Sequence, residues 1–161
     1  MTNKVDILAI GAHPDDVELS CAGTLLEHIK KGYSVALVDL TQGELGTRGS
    51  AELRLKEAEE SRKLMGATAR ENLALRDGFF EESEEELKVL ISAIRHFQPE
   101  IVFANALNDR HPDHGRGARF AARACFLSGL RRIQTERNGI PQPAWRPKVI
   151  YHYIQDNHRT P

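Results

Sequence analysis

The stretch Val5-Asp6-Ile7-Leu8-Ala9-Ile10 decides the fold of this chain. It is largely apolar and too short for a buried helix, so it predicts a central β-strand. A helical pattern starts near Val17, and its apolar residues share one face: Leu19, Ala22, Leu25, Leu26 and Ile29. Lys30-Lys31-Gly32 ends that helix, and residues 33–40 form a second apolar strand. This order of strand, helix and strand within about forty residues indicates a βαβ unit.

The rest of the chain continues the alternation of helices and strands. Helical patterns cover residues 51–65, 83–97 and 115–130, and short apolar strands cover residues 72–75, 101–104 and 149–154. In the second helix we expect Leu53, Ala58 and Leu64 to face inward. The predicted fold class is α/β: a Rossmann-like three-layer sandwich with a mainly parallel sheet and helices on both faces. We predict a single domain over residues 1–161, with its C-terminal part missing because no helix follows the last strand.

Composition excludes several classes of function. The chain has 161 residues and a net charge of −1 without a basic stripe, which argues against nucleic acid as a partner. No segment approaches the roughly 20 apolar residues of a membrane span, and the N-terminus lacks the pattern of a signal peptide. Cys21 and Cys125 lie among apolar neighbours in predicted helices, which is typical of free buried thiols. These features predict a cytoplasmic protein that does not bind membranes.

Two clusters of histidine and aspartate follow predicted strands. Ala12-His13-Pro14-Asp15-Asp16 comes after the first strand, and His111-Pro112-Asp113-His114 comes after the strand at 101–104. Because the carboxyl ends of parallel strands share one edge of the sheet, we expect the clusters to meet there. Alone, either aspartate could be a helix N-cap, and His114 could be a solvated residue at a helix start. Together, these nitrogen and oxygen donors predict a metal site of the kind zinc occupies in hydrolases.

Such a site has a recognisable chemistry. A metal lowers the pKa of its water towards ~7, a neighbouring carboxylate serves as general base, and a further histidine assists at the tetrahedral intermediate. The Gly-rich loop at residues 41–50 should border the same crevice. It is not a G-x-G-x-x-G fingerprint, so the alternative of a nucleotide-binding module is disfavoured. A catalytically inactive scaffold is disfavoured because the histidines and aspartates of both clusters are all present.

The two clusters resemble the motifs of the LmbE-like, or PIG-L, zinc-dependent de-N-acetylases. Ala-His-Pro-Asp-Asp-Val-Glu at residues 12–18 and His-Pro-Asp-His-Gly at residues 111–115 carry the resemblance. The loop at residues 41–49, Arg54 with Glu57-Ala58, and Arg110 also fit it. Within the family, residues 109–114, residues 125–132 and Arg146-Pro147 are most similar to the deacetylases of N-acetylglucosaminyl malate in bacillithiol biosynthesis.

The resemblance implies a role for each matching residue. One zinc ion per chain would be held by His13, Asp16 and His114, with Asp15 as general base and His111, oriented by Asp113, assisting at the intermediate. Substrate contacts would come from Arg54, Arg110, Gly43 and Glu44. The implied substrate is a small amino-sugar conjugate whose aglycone is malate or, alternatively, inositol, a lipid-linked group or a chito-oligosaccharide. The resemblance also implies a homo-oligomer, often a hexamer.

Overall fold

The computed structural model describes residues 3–156 as a sequence of alternating strands and helices. The elements are β1 (Ile7–Gly11), α1 (Asp16–Lys30), β2 (Val35–Thr41), α2 (Ala51–Met65), β3 (Ala69–Leu75), α3 (Glu84–Phe97), β4 (Ile101–Ala104), α4 (Pro112–Ser128), β5 (Glu136–Arg137), β6 (Ile140–Pro141) and β7 (Val149–His152). The five strands predicted from the sequence are all present. The small hairpin of β5 and β6 was not predicted, because its two-residue strands carry no apolar alternation.

Five strands form one parallel sheet in the order β3-β2-β1-β4-β7. The strand order reverses direction between β1 and β4, and in open α/β sheets ligands bind at such a switch point, beyond the carboxyl ends of the strands. The first histidine–aspartate cluster directly follows β1, and the second follows the loop after β4. The topology therefore places the two clusters at one position in the fold.

Helices cover both faces of the sheet. On one face, α3 and α4 pack on β-strand residues such as Leu8 and Val38, and on the other face α1 packs on residues such as Ile7 and Leu37. Because β1 and β2 are buried along their whole length, they consist of continuous apolar runs instead of alternating ones. This arrangement confirms the predicted α/β fold with its mainly parallel sheet.

The start of α4 differs from the sequence prediction, and the start of α3 agrees with it. α4 begins at Pro112, three residues before the predicted start, because proline is well suited to the first helical turn. The N-cap residue of α4 is His111, whose Nδ1 accepts a hydrogen bond from the backbone N–H of Asp113. The second cluster therefore belongs to the first turn of α4. Ser83 caps α3 as expected, by accepting from the N–H of Glu86.

The prediction that Leu53 and Leu64 of α2 face inward is wrong. They are 47% and 87% exposed, and only Ala58 and Met65 of α2 are buried. Leu19 of α1, also assigned to the inner face, is 74% exposed. α2 lies at the margin of the sheet. Because only a short strip of its surface contacts the rest of the protein, its many charged residues face solvent. In residues 3–156, no helix combines the length and apolar character needed to cross a membrane.

Candidate metal and catalytic site

A cleft of about 410 Å³ lies at the carboxyl edge of the sheet. It is bordered by the residues that follow β1, β2, β3 and β4, together with one residue of α2. Its lining consists of His13, Asp15, Asp16, Leu45, Gly46, Arg54, Asp77, Gly78, His111, Pro112, Asp113 and His114. The structure thus brings the two clusters together, although about a hundred residues of sequence separate them.

Asp16 occupies the centre of this site. It is 1% exposed, and its Oδ1 lies 3.1 Å from His114 Nε2 while its Oδ2 lies 3.6 Å from His13 Nδ1. Burial alone would raise the pKa of Asp16, but its hydrogen bonds with His114 and His13 hold that pKa well below its usual range. Asp16 is therefore a permanent anion between the two histidines.

His13 contacts three carboxylates. Its Nε2 lies 3.1 Å from Asp77 Oδ1 and 3.4 Å from Asp113 Oδ2, while Nδ1 faces Asp16. Burial would lower the pKa of His13, but the hydrogen bond and charge of Asp16 and the charges of Asp77 and Asp113 raise it to about 9. Three carboxylates therefore surround the His13 imidazole, and this concentration of negative charge favours the binding of a cation.

Asp77 is a site residue that the sequence prediction missed. It is buried, accepts a hydrogen bond from the N–H of Leu45 and receives support from Glu44, which accepts from the N–H of Asp77. Asp77 lies in the turn formed by residues 77–79. This turn follows the carboxyl end of β3, so the strand-end position that located the two clusters was also a signal for Asp77.

Asp15 differs from Asp16 in its exposure and in its hydrogen-bond partners. Its side chain is 51% exposed, and although Asp15 is the N-cap residue of α1, its carboxylate makes no capping hydrogen bond. The nearest cation is Arg54, whose Nη2 lies 3.6 Å from Asp15 Oδ2 and whose Nη1 donates to the carbonyl of Gly43. Asp15 is therefore a carboxylate free to accept a proton at the mouth of the cleft.

Asp113 does not have the partner expected from the resemblance. Its Oδ2 accepts from the N–H of Gly78 and its Oδ1 from Arg116, so its carboxylate is directed towards His13 and the β3 turn. The backbone N–H of Asp113, not its side chain, holds His111. Burial, together with the charges of His13 and His114, lowers the pKa of His111. In this geometry the Asp113 carboxylate contacts Gly78, Arg116 and His13, and its contact with His111 is made by the backbone N–H.

Three of the predicted substrate contacts lie outside the lining. The side chain of Arg110 is 81% exposed and pairs with Asp156 at 3.4 Å. Gly43 and Glu44 act behind the cleft wall, where their oxygens hold Arg54 and the N–H of Asp77. Among the predicted contacts, only Arg54 reaches the cleft directly.

The donor set fits a divalent metal. Two groups, His13–His111–His114 and His13–Asp77–Asp113, each have three donor atoms within 4.8 Å of one another. Asp16 lies beside His13 and His114, the two histidines of the expected set of zinc ligands. Two ligands of one zinc ion lie about 3.3 Å apart, which is close to the distance of 3.1 Å between Asp16 Oδ1 and His114 Nε2. His114 Nδ1 lies 3.1 Å from the buried Asp109, the arrangement that commonly orients a metal-binding imidazole. Imidazole nitrogen and carboxylate oxygen are donors that zinc accepts.

Comparison with known proteins supports the same assignment. A 36% identical chain, the conserved protein TT1542 from Thermus thermophilus, superposes with a TM-score of 0.87 over 98% of this chain and 69% of its own. The N,N'-diacetylchitobiose deacetylase from Pyrococcus horikoshii is 31% identical, with a TM-score of 0.80 over 92% of this chain and 60% of its own.

Relatives in sequence agree with these structures. The uncharacterized deacetylase YaiS of Escherichia coli is 34% identical over 117 residues, which are 67% of this chain and 61% of YaiS. The chain therefore spans about three fifths of that relative's length. The family model described as PIG-L: GlcNAc-PI de-N-acetylase matches residues 8–125, which include both clusters. On this match and the site geometry, the chain belongs to the PIG-L family of de-N-acetylases.

Proposed function

We propose that this protein is a zinc-dependent hydrolase that removes the N-acetyl group from a conjugate of N-acetylglucosamine. One observation carries the proposal: an exposed carboxylate without a capping hydrogen bond, Asp15, lies at the mouth of the cleft where carboxylates and imidazoles form groups that could hold a metal. Amide hydrolysis needs both a metal site and a base beside it.

Asp15 supplies the base in this proposal. A zinc ion at His13, Asp16 and His114 would lower the pKa of a coordinated water and polarise the acetyl carbonyl. Asp15 accepts a proton from the water as its oxygen forms the bond to the carbonyl carbon, and that proton then passes to the amide nitrogen as the C–N bond breaks. The products are acetate and the free amine. Arg54 Nη2 lies 3.6 Å from Asp15 Oδ2, so the two side chains share the mouth of the cleft.

His111 supplies a hydrogen-bond donor in the same proposal. Because its Nδ1 accepts from the N–H of Asp113, the proton of the neutral ring is on Nε2. From the cleft lining, this N–H can stabilise the oxygen that becomes negative in the tetrahedral intermediate. Asp113 acts on His13 instead, as one of three carboxylates around that imidazole.

For the aglycone we propose malate, as in bacillithiol biosynthesis. Arg54 is the guanidinium at the cleft, and a guanidinium binds a carboxylate through two parallel hydrogen bonds. The position of Arg110 outside the lining leaves Arg54 as the main candidate for this contact.

The test measures free-amine release by the zinc-loaded protein from N-acetylglucosaminyl malate, the corresponding inositol conjugate and N,N'-diacetylchitobiose. We expect turnover of all three, with the highest kcat/KM for the malate conjugate and a loss of that preference in Arg54→Gln. Equal rates on all three would refute the malate assignment and leave the deacetylase proposal. No amine from any substrate, with zinc bound, would refute the proposed activity.

A further inference from the structure

We propose that Asn105 and Gln155 are positioning residues that orient Asp16, so that a single carboxylate oxygen, Oδ1, is available to a metal. The inference rests on the proposed function, since it concerns the same metal site. It adds two residues that lie outside both histidine–aspartate clusters, one after β4 and one after β7. Neither lines the cleft, so any effect they have on the metal is exerted through the groups that they hold, chiefly the Asp16 carboxylate.

Asp16 Oδ2 already has two hydrogen-bond donors. The backbone N–H of His13 donates to it at 3.0 Å, and Asn105 Nδ2 donates to it at 2.9 Å. A carboxylate oxygen has about two lone-pair directions, so these two donors use the hydrogen-bonding capacity of Oδ2. The oxygen left for a metal is Oδ1, which faces His114 Nε2.

Asn105 itself is held in one orientation. It is 1% exposed, and its Oδ1 accepts from the N–H of Ala12 at 2.9 Å while its Nδ2 faces Asp16. Turning the amide over would set an oxygen against a carboxylate and an NH₂ group against an N–H, so both contacts would become repulsive. One buried amide therefore fixes the backbone before His13 and the carboxylate of Asp16 together.

Gln155 reaches the other oxygen of Asp16 from the segment that follows β7. Its Nε2 lies 3.1 Å from Asp16 Oδ1. The segment is anchored nearby, because the Tyr153 hydroxyl donates to the carbonyl of Ile10 at 2.9 Å. Gln155 therefore restrains rotation of the carboxylate and leaves the second lone pair of Oδ1 directed at His114.

The experiment measures zinc affinity by competition of the metal-free protein with a chromophoric chelator. We expect Asn105→Ala to bind zinc about 10–100-fold more weakly than the unmodified protein, the usual effect of losing a residue that supports a metal ligand. Gln155→Ala should weaken binding about tenfold, at the lower end of that range. Asn108→Ala is the matched control, because Asn108 is an exposed asparagine in the same loop, and it should leave affinity unchanged.

The outcomes separate this inference from the proposed function. Equal zinc affinity in Asn105→Ala, Gln155→Ala and the unmodified protein would overturn the inference and leave the metal site intact. Failure of the unmodified protein to bind zinc would overturn the proposed function as well. If Asn105→Ala does not fold, as judged from its unfolding transition without metal, Gln155→Ala alone decides, because Gln155 lies in the segment after β7 and not in the core.

Discussion

Replacement of Arg70 should strongly destabilise this fold. Its side chain is 5% exposed, and it pairs with Asp39 through two hydrogen bonds of 2.8 Å each. It also contacts Glu18 and donates to the carbonyls of Ala58 and Pro14. The perturbation is Arg70→Met, which keeps much of the apolar stem and removes the guanidinium. It leaves a buried carboxylate without its cation and disconnects β2, β3, α1, α2 and the loop that carries Asp15.

The expected cost follows from the burial of Asp39. Breaking a buried ion pair by removing one partner costs about 3–5 kcal/mol, because the remaining charge stays desolvated. Burial raises the pKa of Asp39 to about 6 even beside Arg70, so Asp39 can escape part of this cost by taking up a proton. A carboxyl whose pKa is higher in the folded state stabilises the fold at low pH and loses that contribution as pH rises. The cost should therefore be smaller at pH 5 than at pH 7.5.

Urea unfolding of both proteins at the two pH values measures this difference. The control is Arg123→Met, because Arg123 forms an ion pair of 2.9 Å with Glu82 but its side chain is 53% exposed. Exposed pairs contribute about 0–1 kcal/mol, so the control should unfold almost like the unmodified protein. If Arg70→Met and Arg123→Met lose the same free energy of unfolding at pH 7.5, the reasoning about the buried network is refuted.

Four further perturbations test the site. Asp15→Asn should bind zinc normally and lower turnover by about 10²–10⁴-fold, because only the base is removed; zinc content and amine release measure this. His114→Ala should lose zinc, as elemental analysis would show, because it removes one of three protein ligands. Without metal, the free energy of unfolding should fall by about 3 kcal/mol as pH rises from 6.5 to 9, because His13 is protonated in the fold up to a pKa of about 9. Gly43→Ala should raise KM more than it lowers kcat, because its Cβ would lie 1.9 Å from Arg54 Nη1.

Each of these expectations has a result that contradicts it. Loss of zinc in Asp15→Asn would show that the roles of the two adjacent aspartates are reversed. One zinc per chain in His114→Ala would remove His114 from the ligand set. The pH effect should disappear in His13→Gln, and its persistence there would assign it to another group. Gly23→Ala is the control for Gly43→Ala, since its Cβ meets nothing within 4 Å, and a similar rise in KM there would exclude displacement of Arg54 as the cause.

Local sequence patterns predicted the sheet and the position of the site. Continuous apolar runs identified β1 and β2 because both strands are buried on both faces, and the strand-end position of each cluster located the cleft. Asn105, Arg70 and Asp77 were not predicted as site or network residues. Their partners are 89, 31 and 64 residues away. The strand-end position was a signal for Asp77, but no local pattern identifies the partner of any of the three. A buried amide or guanidinium is recognised only when its partners are placed around it.

The exposure of Leu53 and Leu64 and the contacts of Asp113 differ from the expectations for other physical reasons. Leu53 and Leu64 have helical apolar spacing, but spacing gives a periodicity and not the amount of surface that the sheet can cover. The family resemblance implied that Asp113 orients His111. Side chains two residues apart in a helical turn diverge, so the carboxylate instead faces His13 and the turn after β3.

Asp15 and Asp16 also have different surroundings, although the two residues are adjacent and chemically alike. An aspartate at an N-cap normally accepts from the first turn of its helix, a contact worth about 1 kcal/mol. The Asp15 side chain does not make that contact. Asp16, one position later, is buried among four polar groups of the site. A carboxylate that leaves an available cap unused is a local exception to the rules that stabilise a fold, and such exceptions concentrate at functional sites. The unused cap of Asp15 is therefore the strongest structural argument that this residue serves chemistry and not the helix.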